Sequence, residues 1–143
     1  MDEKRIERLK KAAADILDPN RVLVAYAFGS RVHGRPRQDS DLDVGYFLRK
    51  GTELERPSLR EELDWGVKLT EAAGVEVDLR YLGNAPLDLR GTALIHGIRI
   101  FIANEEERVD LERYLLGMYH DYRDVYEKMH SDRLKVMAGK AID

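Results

Sequence analysis

Residues 41–48, DLDVGYFL, restrict the fold more than any other stretch of this chain. Side chains along a strand alternate between its two faces. Read as a strand, the segment sends Leu42, Val44, Tyr46 and Leu48 one way and Asp41 and Asp43 the other. The first set demands a core. The second puts two like charges together, which raises one pKa unless a cation compensates. A chain with this strand needs a sheet that is covered on one face and open around the carboxylates on the other.

The rest of the pattern supplies such a sheet. VLVAYAF (22–28) reads as a buried strand, broken by Gly29-Ser30. In VEVDLRYL (75–82), Val75, Val77, Leu79 and Tyr81 alternate with Glu76, Asp78 and Arg80. IRIFIA (98–103) is a fourth short strand. Helical spacing appears over 3–17, 58–73, 86–96 and about 105–130. In the 58–73 helix the spacing puts Leu59, Leu63, Val67 and Leu69 or Thr70 on one face, and Trp65 is read as packing. RVHGRPRQDS (31–40) reads as a short helical turn and a loop, and 49–57 as a second loop. The order α-β-β-α-β-α-β-α predicts an α/β (α+β) protein, a mixed sheet of about four strands with flanking helices, forming one domain over 1–143.

Composition removes several classes of function. The chain has no cysteine, which excludes disulfides, zinc–thiolate sites and thiol catalysis. Lys and Arg number 24 against 27 acidic residues, so no basic excess announces direct nucleic-acid binding. MDEKRIERLKKAAADIL lacks the apolar centre of a signal peptide, and no apolar run is long enough to span a bilayer. A cytoplasmic protein without membrane contact is expected.

Asp78 lies on the polar side of its strand. If that strand shares the open face with Asp41 and Asp43, three carboxylates converge. Mg²⁺ is the usual compensating cation, because it takes oxygen ligands and is commonly held by one or two carboxylates plus substrate phosphates. Three carboxylates make two metal ions feasible, flanking an in-line displacement at phosphorus. Asp78 then has two candidate roles, as ligand of the second metal or as acceptor of the attacking hydroxyl's proton. At the end of the preceding strand, Gly29 permits close backbone approach, and Ser30 with a helix start favours a bound anion. Arg31 adds a charge-assisted phosphate contact. Arg35 and Arg37 serve phosphate charge or merely solvate the loop; the sequence does not choose.

The spacing G-S-x10-D-x-D, formed by Gly29, Ser30, Asp41 and Asp43, resembles the signature of the polymerase-β superfamily of nucleotidyltransferases. Asp78 falls where that family places its third carboxylate. FGSRVHGRPRQDSDLDVGYF, the short length and the long C-terminal helix look most like the small MNT-type enzymes, the antitoxin partners of HEPN-domain toxins. The resemblance implies a polymerase-β-like fold, Mg²⁺, a nucleoside triphosphate (usually ATP), and transfer of AMP to a tyrosine of a HEPN-type RNase toxin. It implies that Gly29, Ser30 and Arg31 bind the triphosphate and that Asp41, Asp43 and Asp78 hold metal and complete the catalytic site. His33 stands where related antitoxins often carry arginine. The alternatives are a small-molecule nucleotidyltransferase of the aminoglycoside-modifying kind and an antitoxin that neutralises by binding alone.

Leu111, Leu115, Met118, Tyr122, Val125 and Met129 form an apolar seam along the last helix. The seam packs on this chain's own sheet or, in its distal half, on a partner. Tyr114, Tyr119, Tyr122 and Tyr126 give that helix the aromatic-polar surface common at interfaces. His96, His120 and His130 show no metal-ligand spacing.

Overall fold

The computed structural model describes residues 3–29 and 42–139. The elements are α1 (Glu3–Ile16), β1 (Val22–Phe28), β2 (Leu42–Leu48), α2 (Leu59–Ala73), β3 (Val77–Tyr81), α3 (Leu87–His96), β4 (Ile98–Ile102) and α4 (Glu105–Met137). A single 3-10 turn, Glu53–Glu55, lies in the loop after β2. The predicted order of elements holds throughout, and the turn expected over 31–40 lies outside the described residues.

The sheet has four strands in the order β3-β2-β1-β4. β1 runs antiparallel to both β2 and β4, whereas β2 and β3 are parallel and joined through α2. The covered face follows from the alternation. Leu42, Val44, Tyr46 and Leu48 of β2 join Val77 and Leu79 of β3 beneath α1 and α2, in a core with Leu9, Trp65 and Leu69. The opposite face carries Tyr26, Phe28, Phe47 and Leu82, which pack with Ala93 of α3 and Leu115 of α4.

Capping fixes the helices that frame the sheet. Ser58 accepts a hydrogen bond from the Glu61 amide at the start of α2, and Gly74 ends it in the left-handed conformation at φ 73°. Asn104 caps α4 through the Glu107 amide, with Glu105, Glu106 and Glu107 in the first turn, where negative charge suits the helix dipole.

Two helices differ from expectation. The buried face of α2 is Trp65, Gly66, Leu69 and Ala73, while Leu59, Leu63 and Val67 are exposed. Both stripes have helical spacing; the one with a small residue beside a large ring lies flat on the sheet. In addition, α4 runs to Met137 rather than about 130. No glycine or proline interrupts residues 130–137, and Gly139, at φ 73°, follows the end of the helix. The seam is buried at Leu115, but Tyr122, Val125 and Met129 are exposed. No described helix is long and apolar enough to cross a membrane.

Candidate active site

Parallel pairing of β2 with β3 places Asp43 beside Asp78. Antiparallel pairing of β1 with β2 places Phe28 on the other side of Asp43. Phe28, Asp43 and Asp78 therefore form one row across three strands on the face that bears α3 and α4. The next row along that face is Tyr26, Gly45 and Arg80. Both carboxylates are half-buried, at the end of the face away from Phe47 and Leu82.

Gly29 follows β1 directly, with φ 101°, a conformation that side-chain-bearing residues rarely adopt. A Cβ built there would stand 2.6 Å from Asp43 Oδ2. The glycine thus lets the backbone close on the Asp43 carboxylate. Gly29→Ala adds both strain and a collision with that oxygen. It is expected to cost about 1–2 kcal/mol of stability and, by displacing Asp43, roughly 100-fold in activity. Thermal melting and initial rates on the same preparation measure the two effects.

Sequence reasoning missed Arg80. Its Nε and Nη2 donate to Asp78 Oδ2 at 2.9 and 2.8 Å. Hydrogen bonding to Asp78, with the charges of Asp78 and Asp43 behind it, raises the guanidinium pKa above its ordinary value. The available signal was the i, i+2 spacing from Asp78 in VEVDLRYL, which puts both side chains on one face. Arg80 shows that the pair of acids recruits positive charge.

Ser30, Arg31 and Asp41 lie outside the described residues, as do His33, Arg35 and Arg37. Among the described residues, no three His, Cys, Asp or Glu gather into a metal cluster. What is present suits a hard cation all the same. Two adjacent carboxylates offer the oxygen ligands that Mg²⁺ prefers, and the chain already sets a cation against one of them.

Gly29 closes on Asp43, and acids stand side by side on the next two strands of a mixed sheet. The family profile described as Polymerase beta, Nucleotidyltransferase matches residues 11–106, which include every strand of the sheet. The chain belongs to the polymerase β nucleotidyltransferase family. No curated protein sequence matches it significantly. Solved structures share the fold. One is a toxin–antitoxin with AMP-PNP, at TM-score 0.65 and 18% identity over 90% of this chain and 98% of that one. Another is a tri-AMPylated Shewanella oneidensis HEPN toxin in complex with MNT antitoxin, at TM-score 0.64 and 16% identity over 94% and 99%. A third is the toxin–antitoxin MntA-HepT, at TM-score 0.63 and 16% identity over 93% and 99%. This nucleotidyltransferase chain puts a long helix, α4, after its last strand.

Proposed function

We propose that this nucleotidyltransferase uses Mg²⁺ and ATP to transfer AMP to a tyrosine of a HEPN-type toxin, and so acts as an antitoxin. The observation that carries the reading is the register pairing of Asp43 with Asp78, with the Gly29 backbone closed on Asp43. The family supports nucleotidyl transfer. The similar structures support the rest, being toxin–antitoxin complexes that contain AMP-PNP or an AMPylated HEPN toxin. The exposed Tyr122, Val125, Tyr126 and Met129 of α4 offer surface to a protein partner.

In this reading Asp41, Asp43 and Asp78 hold the metal, and Gly29, Ser30 and Arg31 bind the triphosphate. Mg²⁺ held by these carboxylates would supply charge neutralisation at the phosphate and a lower pKa for the attacking hydroxyl. The chain's own groups set the geometry. Asp43 fixes one side of the reacting phosphate because the sheet register fixes its Cα. Asp78, one strand further out, faces the incoming acceptor and takes the proton of its hydroxyl. The acceptor oxygen bonds to the α-phosphorus, the bond from that phosphorus to the bridging oxygen breaks, and pyrophosphate leaves.

Arg80 must yield as metal enters, because its guanidinium shares Asp78. The pair is half-exposed, so its release costs at most about 1 kcal/mol. Arg80→Ala is expected to tighten Mn²⁺ binding without nucleotide by about two- to fivefold. Titration followed by the electron paramagnetic resonance of free Mn²⁺ measures this directly.

The decisive test is transfer itself. The full chain, co-expressed and purified with a HEPN-type toxin, is incubated with Mg²⁺ and ATP labelled at the α-phosphate. Label on a partner tyrosine, absent with Asp43→Ala, is the expected result. A stable, neutralised complex that never takes label would overturn the catalytic reading in favour of neutralisation by binding.

A further inference from the structure

β3 is an edge strand, and its free side opens into a groove. Glu76 accepts from the Leu42 amide and Leu82 donates to the Tyr46 carbonyl, so the even-numbered positions face β2. The odd-numbered positions turn their amides and carbonyls outward. The Val77 amide is taken by Thr70 Oγ1 at 2.9 Å. Those of Leu79 and Tyr81 have no strand beside them among the described residues. Such an edge is a template for a further strand.

The space beside it measures about 660 Å³ and lies between β3 and α2. Its apolar wall is the stripe of α2 that is left off the core: Leu63 is 61% exposed and Val67 58%. Its polar lining is of one sign. Glu62, Glu71, Glu76 and Asp78 line it, and no basic side chain does among the described residues. Asp78 belongs at once to this groove and to the pair with Asp43.

The geometry points to one occupant: an extended basic segment of a protein acceptor, added to β3 as a fifth strand. Its backbone would pair with Leu79 and Tyr81. Alternate apolar side chains would cover Leu63 and Val67, and lysines or arginines would meet the glutamates. A hydroxyl side chain at the right step would stand at Asp78. This rests on the proposed transfer reaction and adds how the acceptor is presented: as an unfolded strand selected for positive charge, not as a folded surface. The small apolar wall alone would not choose between peptides, whereas the one-signed lining rejects acidic ones.

The test uses the full chain and two synthetic nine-residue peptides. One alternates lysine and valine around a central tyrosine; in the other, glutamate replaces lysine. Fluorescence anisotropy should show binding of the basic peptide alone. Methylation of its alternate backbone amides, or Leu63→Lys/Val67→Lys in the protein, should weaken that binding by about tenfold or more. Amide exchange over 77–82 should slow when the peptide binds. Both substituted residues are exposed and outside the catalytic set, so the variant should melt like the parent. Equal binding of the acidic peptide, indifference to N-methylation, or unchanged exchange over 77–82 would each overturn the proposal. Peptide binding needs neither metal nor ATP, so this outcome is separable from any failure of AMP transfer. Conversely, transfer to the partner that depends on Asp43 but ignores Leu63→Lys/Val67→Lys would leave the reaction standing and remove the groove.

Discussion

Asp43→Ala is expected to abolish nucleotidyl transfer while leaving the fold intact. The two halves of that expectation come from different physics. Asp43 is half-buried on a central strand, and its neighbour across the register is another acid, Asp78. Removing one of two adjacent like charges relieves repulsion, gives up the part of the field by which Asp43 favours the Arg80 guanidinium, and leaves the Arg80–Asp78 pair in place. Stability should therefore change by no more than about 0.5 kcal/mol, a shift in Tm of roughly 2 °C or less.

Activity should fall far more. A metal-bound phosphoryl group gains several kcal/mol of charge stabilisation in the transition state, which corresponds to a loss on the order of 10³-fold or greater when the ligand is removed. Asp43→Asn is the sharper control. It keeps size and shape but offers a neutral amide, a poor ligand for a hard cation. If the asparagine variant kept wild-type rates, Asp43 would be a structural acid and the site assignment would fail. Single-turnover labelling with α-labelled ATP, beside melting curves, gives both numbers.

The open face around Asp43 was legible because β2 is unambiguous. Leu42, Val44, Tyr46 and Leu48 alternate with Asp41 and Asp43 at the start of the strand, so the acids mark one face as open there, although the same face closes again at buried Phe47. The same held for Asp78 in β3. Register was not legible: nothing in either strand says that residue 43 stands beside 78, since the pairing is set by how α2 returns the chain. Arg80 was read only as one beat of the polar alternation: the i, i+2 spacing from Asp78 puts both side chains on one face, but spacing alone does not say that they pair. In α2 two apolar stripes competed, and counting spacings could not rank them. Shape did: Gly66 and Ala73 let Trp65 and Leu69 settle on the sheet. Glu112 was beyond reach, since its three hydrogen-bonding partners are scattered from residue 26 to 108.

Glu112→Ala is the substitution expected to damage the fold most. Glu112 is 6% exposed and lies at the root of α4. Its Oε2 accepts from Tyr26 Oη at 2.8 Å and from Arg99 Nε at 2.9 Å; its Oε1 accepts from Arg108 Nη1 at 2.9 Å. One carboxylate thus ties α4 to β1 and to β4. Alanine would strand the Tyr26 hydroxyl, on a fully buried residue, and would leave the largely buried Arg108 with Glu105 as its remaining carboxylate partner. Breaking a buried charge network from one side costs about 3–5 kcal/mol, or roughly 10–15 °C in Tm for a chain of this size. Arg123→Ala breaks a solvent-exposed pair with Glu127 one turn along the same helix, and should cost about 0.5 kcal/mol or less.

The pH dependence separates charge from packing. Burial alone would raise the Glu112 pKa, but hydrogen bonds from Arg99, Tyr26 and Arg108 outweigh it and hold the carboxyl below its ordinary 4.5. Its contribution is thus fully present above 4.5 and is lost as pH falls through the lower folded value. Glu112→Gln keeps the volume and removes the titration. The stability gap between parent and Gln variant should be constant at neutral pH and narrow in acid; a gap that ignores pH would mean that packing, not charge, holds the joint. The joint matters because the distal half of α4 is exposed, so its direction is set from the root. From Glu112 to Met137 the helix runs roughly 37 Å at 1.5 Å per residue. A tilt of about 10° at the root moves the far end by roughly 6 Å over that length. If α4 carries the proposed partner surface, affinity for a HEPN-type protein should therefore fall in the Gln variant even where the sheet and its two acids are undisturbed, and calorimetric titration would read that loss.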